Sequence, residues 1–294
     1  MTVILGAESM EREILRQITS MLGGGAHELE PLQAKDGVFV FRTYHDGQPL
    51  IVKYLADEPS RREIANYHLL ASLGVPTLTV LGASDRCLCL EDLAHSDRLR
   101  LGTEEDLGDP AVARLLAGWY RNLHDRGANV PQLSALHSES DLLTRENLQL
   151  LGERFSAATS TWEYLRNHWH ALLAHLERFE ATLTYNDFFW TNLAVGRDRR
   201  SALMFDYNLM GRGYRYSDIR NVGSALSEAA YRAFLEAYGS FDPREMLVDE
   251  CLSHVVNLIS ACAHPQFPRW ATESLGFAVD GALLVSARRL LSDI

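Results

Sequence analysis

Apolar residues along this chain fall into two spacings, and the change from one to the other divides it. Helical spacing runs from Glu8 to Leu22 and ends at Gly23, Gly24 and Gly25. Three stretches of β-like alternation follow, Glu28–Gln33, Val38–Tyr44 and Pro49–Leu55, separated by Asp36-Gly37 and Asp46-Gly47, the dipeptides of tight hairpin turns. Glu58–Leu73 returns to helical spacing. Pro59 stands in its first turn, Ile64, Tyr67, His68 and Ala71 share one face, and Gly74 followed by Pro76 is a stop signal. Thr77–Leu81 and Cys87–Glu91 are predicted strands.

From Asp92 onward long helical patterns dominate: Pro110–Arg126, Thr161–Phe179, Ser217–Tyr238, Pro243–Cys262 and Glu273–Leu291. One β-like pair, Leu193–Val195 and Ala202–Phe205, interrupts them. The pattern predicts an α+β protein of two lobes with a cleft between them: a small N-terminal antiparallel sheet with one helix in residues 1–92, and a larger, mostly helical part in 93–294. No repeat or low-complexity tract is visible.

Composition narrows the function. The 294 residues carry 39 acidic and 28 basic side chains, a formal charge of −11. That sign opposes general binding to nucleic acid or to an anionic membrane. Cys87, Cys89, Cys251 and Cys262 form no C-x-x-C pair, which fits a reducing, cytoplasmic setting. Strand alternation puts Cys87 and Cys89 on one face, as packing residues. The first ten residues lack a basic segment and a long apolar stretch, so neither a signal peptide nor a membrane span is expected.

The chemistry is concentrated in Thr184–Asn221, where Asp187 precedes Asn192 by five positions and the β-like pair leads on to Asp206. A hairpin carries the residue that opens its first strand and the residue that ends its second to the same end. It therefore places Asn192 beside Asp206, and an amide and a carboxylate oxygen suit Mg²⁺, which takes its remaining ligands from water and phosphate. A D-x-x-x-x-N step followed by a metal-binding Asp is the layout of kinase catalytic loops.

The segment resembles the motif of the aminoglycoside phosphotransferase and choline kinase family, H-G-D-x-x-x-x-N, a hairpin, then Asp and a downstream Asp. The resemblance implies a bilobal protein-kinase-like fold, with Asp187 as catalytic base, Asn192 and Asp206 as metal ligands, and Asp218 bracing the loop. A lobe of that kind needs a strand Lys and a helix Glu; Lys53 in PLIVKYL and Glu63 in the next helix supply them. Cys89-Leu90-Glu91-Asp92-Leu93 resembles the connecting segment whose backbone meets adenine, which assigns Glu91 and Leu93 to the nucleotide. Leu123-His124 resembles the family's L-H helix end. Tyr185 replaces the family's His and Asn186 its Gly, Phe188 to Thr191 replace its usual loop residues, and the candidate phosphate-covering turn, Ala34–Val38, contains only Gly37.

The implied reaction moves the γ-phosphoryl group of ATP, or GTP, to a hydroxyl of a small molecule with Mg²⁺ present. An aminoglycoside or other amino sugar is the first expectation for the acceptor. A choline-type amino alcohol, or a non-catalytic nucleotide-binding role on the same fold, are the alternatives. The rings of Tyr185, Phe188, Phe189 and Trp190 could face an ammonium group but are expected to pack in a core. Asp249, Glu250 and Asp280 are expected on solvated helix faces. Only 11 residues separate Asp206 from Asp218, too few for the peptide-docking segment of a protein kinase.

Overall fold

The structure, a computed structural model, describes residues 2–24, 28–131 and 133–292, with side chains from Met10 onward. Gly25, the last glycine of the expected break, lies outside the described residues. In chain order come α1 (Thr2–Leu22), β1 (Glu30–Lys35), β2 (Val38–His45), β3 (Gln48–Leu55), α2 (Glu58–Leu73), β4 (Val80–Ala83), β5 (Cys87–Glu91), β6 (Leu99–Leu101) and α3 (Pro110–Gly127). These are followed by α4 (Arg145–Arg154), α5 (Thr159–Leu176), β7 (Thr182–Thr184), β8 (Leu193–Gly196), β9 (Ala202–Met204), β10 (Gly211–Gly213) and α6 (Arg215–Gly223). The last helices are α7 (Glu228–Tyr238), α8 (Arg244–Cys262), α9 (Thr272–Val279) and α10 (Ala282–Ser292).

The chain divides into two compact units: Met1–Leu123 with Asp187–Met210 and Ala225–Tyr238, and His124–Asn186 with Gly211–Ser224 and Gly239–Ile294. In the first unit, five antiparallel strands are ordered β1-β2-β3-β5-β4. Both expected tight turns are present. Asp36 and Gly37 (φ +48° and +78°), like Asp46 and Gly47 (+49° and +76°), are left-handed at both central positions, which matches the right-handed twist of the flanking strands.

Alternation gives this sheet two different faces. One face sends Phe41, Leu50, Val52, Tyr54, Cys87 and Cys89 into a core with Ile14 and Ile18 of α1. Cys87 and Cys89 are thus packing residues, and burial raises both thiols to about 12. The other face presents Val38, Val40, Arg42, Ile51, Lys53 and Leu90 to a cavity. A second sheet, β6-β8-β9, also lies in this unit, while the pair β7 and β10 belongs to the helical second unit. The core of the second unit joins α4, α5, α8, α9 and α10 through residues such as Trp162, Leu165, Leu252, Val255 and Leu283.

Several boundaries differ from the sequence reading. Ser217–Tyr238 is two helices, α6 and α7; Ser227 starts the second by accepting from Tyr231 N through its carbonyl and from Ala230 N through its hydroxyl. The chain passes from one unit to the other at this break. Glu273–Leu291 is also interrupted, because Gly281 is left-handed (φ +85°) and Asp280 accepts from Ala282 N at 3.0 Å. The expected strand Thr77–Leu81 forms as Val80–Ala83, with an irregular register against β5. Strands β6, β7 and β10, of three residues each, are too short to show a period. Helix α4 has a weakly apolar sequence and was not foreseen. Among the described residues no helix is long and apolar enough to cross a membrane.

Candidate active site

Lys53 stands on β3 opposite Val40 of β2 and Leu88 of β5, pointing from the sheet into the cavity. The start of α2 is fixed by Asp57, whose carboxylate accepts from Ser60 N at 2.8 Å, and its end by left-handed Gly74. The buried face of the helix carries Ser60, Glu63, Asn66, Tyr67 and Leu70, rotated from the face expected from apolar spacing; His68 and Ala71 are exposed. Glu63 and Asn66 account for the rotation, because each has a buried partner. Lys53 Nζ lies 2.6 Å from Glu63 Oε2 and 2.9 Å from Asp206 Oδ1, while Asn66 Nδ2 donates to the Tyr207 carbonyl at 2.7 Å.

One ammonium is therefore shared by two carboxylates. Burial works against the Lys53 charge, but Glu63 and Asp206 outweigh it and hold the lysine pKa above its ordinary value. Burial is also the main influence on Glu63, and with the repulsion of Asp206 it lifts this acid to about 7 against the pull of Lys53. Asp206 is left-handed (φ +66°), and its side chain remains about one-third exposed. Asn66 was missed in the sequence reading. An asparagine one turn after the helix glutamate carries no sign of its partner, a carbonyl far along the chain.

Asp187 and Asn192 come to this region through the loop and hairpin. Leu193 pairs with Met204, and Phe205 N donates to the Asn192 carbonyl at 2.9 Å, so Asn192 and Asp206 share an end of the sheet. Asn192 Nδ2 donates to Asp187 Oδ2 at 3.0 Å, and no other described residue donates to that carboxylate. Burial, then repulsion from Asp206, raises the Asp187 pKa; Asn192, Lys35 and Lys53 act in the opposite direction. Gly102 lets β6 approach the loop, since a Cβ there would stand 2.7 Å from the Trp190 carbonyl.

These groups surround a cavity of about 730 Å³ within the first unit, whose lining includes Lys53, Glu91, Leu93, Asp187, Asn192 and Asp206. The Glu91 carboxylate is occupied by Thr79 N at 2.8 Å and by Arg98 at 3.1 Å, and its own N–H donates to the Thr79 carbonyl at 3.1 Å, so its backbone carbonyl is the group left for a ligand. Asp92 is tied to Arg42 Nε at 2.6 Å and His95 Nδ1 at 2.8 Å. The turn at Gly37 is anchored as well: Ala56 N donates to its carbonyl at 2.9 Å, and a Cβ would stand 2.3 Å from Asp57 Oδ2. Among the described residues no group of three or more His, Cys, Asp or Glu side chains forms a metal cluster.

Tyr185 and Asp218 belong to the second unit. Asp218 accepts from Tyr185 N at 2.7 Å and Asn186 N at 2.8 Å, and His124 Nε2 lies 3.1 Å from its carboxylate. Tyr185, Asp218 and His124 are buried. The aromatic group is split: Tyr185 and Phe188 are buried, as expected of a core, but Phe189 is 62 % exposed and Trp190 37 %. Asp249 corrects the expectation of a solvated face, being 1 % exposed and held by Arg220 Nε at 2.7 Å and the Tyr214 hydroxyl at 2.8 Å. Glu250 and Asp280 are exposed, as expected.

A sequence profile of the phosphotransferase enzyme family matches residues 32–247. No curated protein matches the chain in sequence. Spectinomycin phosphotransferase APH(9)-Ia, solved with ADP and spectinomycin, is similar in structure with a TM-score of 0.59 at 12% identity, over 92% of this chain and 93% of that one. Macrolide 2′-phosphotransferase MphH from Brachybacterium faecium gives 0.61 at 19% identity, over 91% and 98%. An ethanolamine kinase from Plasmodium vivax gives 0.62 at 13% identity, over 92% and 85%. At such identities the likeness establishes the fold, a protein-kinase-like α+β architecture.

Proposed function

Because the chain belongs to the phosphotransferase enzyme family, we propose that it is a kinase that moves the γ-phosphoryl group of ATP to a hydroxyl of a small molecule. The observation that carries this reading is one cavity in one compact unit that joins the Lys53–Glu63–Asp206 cluster to the Asp187–Asn192 pair. GTP is the alternative nucleotide.

In this reading residues 1–92 supply the nucleotide-binding part and 93–294 the catalytic and acceptor-binding part. The purine packs against apolar residues such as Val40, Ile51 and Leu90, and its edge meets the Glu91 carbonyl and the backbone of Leu93. Lys53 spends two of its three N–H donors on Glu63 and Asp206, so the third is available to a phosphate oxygen. Asp187 accepts a hydrogen bond from the acceptor hydroxyl, orients its oxygen toward the γ-phosphorus, and takes the proton as the new O–P bond forms. The bond to the bridging oxygen breaks and ADP leaves. Asp218, which accepts from the Tyr185 and Asn186 N–H groups, and the buried Tyr185 support the chain leading into Asp187.

Mg²⁺ would be held by Asp206 and Asn192. Their donors fit it, because the Asn192 NH₂ group is committed to Asp187, which leaves the amide oxygen, and Asp206 adds a carboxylate. With so few protein ligands, most positions fall to water and phosphate, as Mg²⁺ prefers. When bound, the ion offsets the negative charge on the transferring group.

The test combines ATP-induced thermal stabilisation, with and without Mg²⁺, and single-turnover kinetics across hydroxyl acceptors. Asp187→Asn should keep nucleotide binding and lose about 10²–10⁴ in rate. Undiminished turnover in that variant would remove the base assignment. A wild type that binds ATP but phosphorylates no acceptor would favour the non-catalytic role.

A further inference from the structure

Four cations line the first-unit cavity: Lys35, Arg42, Lys53 and Arg62. Two of them are already committed. Arg42 lies 2.6 Å from Asp92, and Lys53 is held by Glu63 and Asp206 at 2.6 and 2.9 Å. No described residue accepts from Arg62. Lys35 meets only its neighbour Asp36, at 3.8 Å, too long for a hydrogen bond, and both side chains are exposed. Its charge nevertheless reaches Asp187 in the same unit, where it is the larger of two lysine influences that oppose the effect of burial. The turn that carries Lys35 is short and fixed. Lys35 of β1 pairs with Val38 of β2, so Asp36 and Gly37 alone reverse the chain. Both are left-handed, the Gly37 carbonyl accepts from Ala56 N, and the Asp57 carboxylate fills the space where a Cβ on Gly37 would stand. A reversal of two residues leaves little backbone to fold over a phosphate chain.

We propose that Lys35 is a specificity-determining residue whose ammonium binds the terminal phosphate of the nucleotide, in place of the backbone N–H groups of a longer glycine-rich turn. The proposal rests on the phosphoryl-transfer reading and adds to it the group that distinguishes a nucleoside triphosphate from a diphosphate. The charge balance calls for such a group. Asp36, Asp57, Glu91, Asp92, Asp187 and Asp206 line the cavity, six carboxylates against four cations. A triphosphate is itself an anion, so the end that reacts needs an uncommitted positive charge beside it. Lys53 has one donor left after Glu63 and Asp206, whereas Lys35 has all three. Its action on Asp187 puts Lys35 at the end of the cavity where transfer takes place. There the ammonium donates to a non-bridging oxygen of the γ-phosphate and holds the phosphorus toward the acceptor oxygen that Asp187 orients. After transfer the phosphoryl group belongs to the acceptor. ADP then offers Lys35 no partner and is held less tightly than ATP.

The test is calorimetry on the full chain with Mg²⁺ present, titrating ADP and the non-hydrolysable ATP analogue AMP-PNP. Wild type should bind AMP-PNP more tightly than ADP. Lys35→Gln should weaken AMP-PNP by about 3–10-fold and change ADP by less than about twofold, the value of one charge-assisted contact at a partly exposed site. Lys35→Arg keeps the charge and should keep the preference, and Arg62→Gln should leave the ratio of the two affinities unchanged. The gap between wild type and Lys35→Gln should narrow as salt is raised, a response that a change in turn structure would not give. Equal weakening of both nucleotides, no weakening of either, a loss that Lys35→Arg does not restore, a loss confined to Arg62→Gln, or a wild type that binds neither nucleotide would overturn the proposal. Turnover separates it from the reading beneath it. A Lys35-dependent preference for AMP-PNP in a chain that phosphorylates no acceptor leaves the phosphate contact standing and removes the kinase; phosphoryl transfer with unchanged nucleotide affinities in Lys35→Gln does the reverse.

Discussion

Asp218 in the second unit takes the backbone N–H groups of Tyr185 and Asn186 at 2.7 and 2.8 Å and has His124 at 3.1 Å, whereas Asp187 in the first unit receives Asn192 alone. Both are aspartates in one short polar stretch of sequence. A carboxylate whose oxygens are filled by fixed donors holds chain in place and has little left for a ligand. One with a single donor keeps lone pairs free, and burial makes it a better base by raising its pKa. Two further acids extend the series: Glu245 accepts from Tyr216 N at 2.7 Å, and Glu139 accepts from no described residue. The count of donors, more than burial, separates bracing from availability.

The largest expected effect breaks the comparison at its filled end. Asp218→Ala leaves two backbone N–H groups and a buried histidine without their acceptor, and should cost about 3–5 kcal/mol in a denaturant melt. Asp187→Ala should stay within about 1 kcal/mol of wild type, because little is lost with its one donor. Equal losses would erase the distinction.

Glu245 sharpens the comparison through pH. Burial lifts it to about 7 from an ordinary 4.5, despite the Tyr216 N–H. The folded state therefore holds this proton more tightly than the unfolded chain does. The resulting stabilisation is fully present below about pH 4.5 and is lost as pH rises through 7. Urea melts of wild type should lose roughly 1–3 kcal/mol more than those of Glu245→Gln between pH 4.5 and 7.5. Parallel pH profiles would show that the Tyr216 contact keeps the acid ionised.

The smallest effect concerns Asn66, which holds the Tyr207 carbonyl beside left-handed Asp206. Asn66→Ala should cost about 1 kcal/mol of stability. It should also weaken Mg·ATP-induced stabilisation more than stabilisation by ATP alone, because the lost bond fixes the chain next to the proposed metal carboxylate. An equal loss in both would make the contact purely structural.

Much of the N-terminal sheet could be read from the sequence because its information is local. Asp36-Gly37 and Asp46-Gly47 can supply left-handed turns wherever they occur, and Glu58–Leu73 carries its own start and stop. The helical region was less legible. A continuous helical pattern from Ser217 to Tyr238 concealed the break between α6 and α7, and three-residue strands left no period to detect. At the candidate site, the D-x-x-x-x-N step, the hairpin and Lys53 were visible because the residue types and spacing were enough to mark them.

The face of α2 divides what sequence and tertiary structure each determine. By itself the sequence established that residues 58–73 form a helix, since caps, proline placement and propensity act within a few residues of chain. It also established that a lysine precedes this helix on a strand and that a glutamate lies within it. Tertiary structure decided which side of the helix is buried. Hydrophobic spacing selected Ile64, Tyr67, His68 and Ala71, but the fold buries Glu63 and Asn66, because Lys53 and the Tyr207 carbonyl satisfy them there. A polar side chain enters a core when its partner is already in place, and that partner is fixed by long-range packing outside the helix.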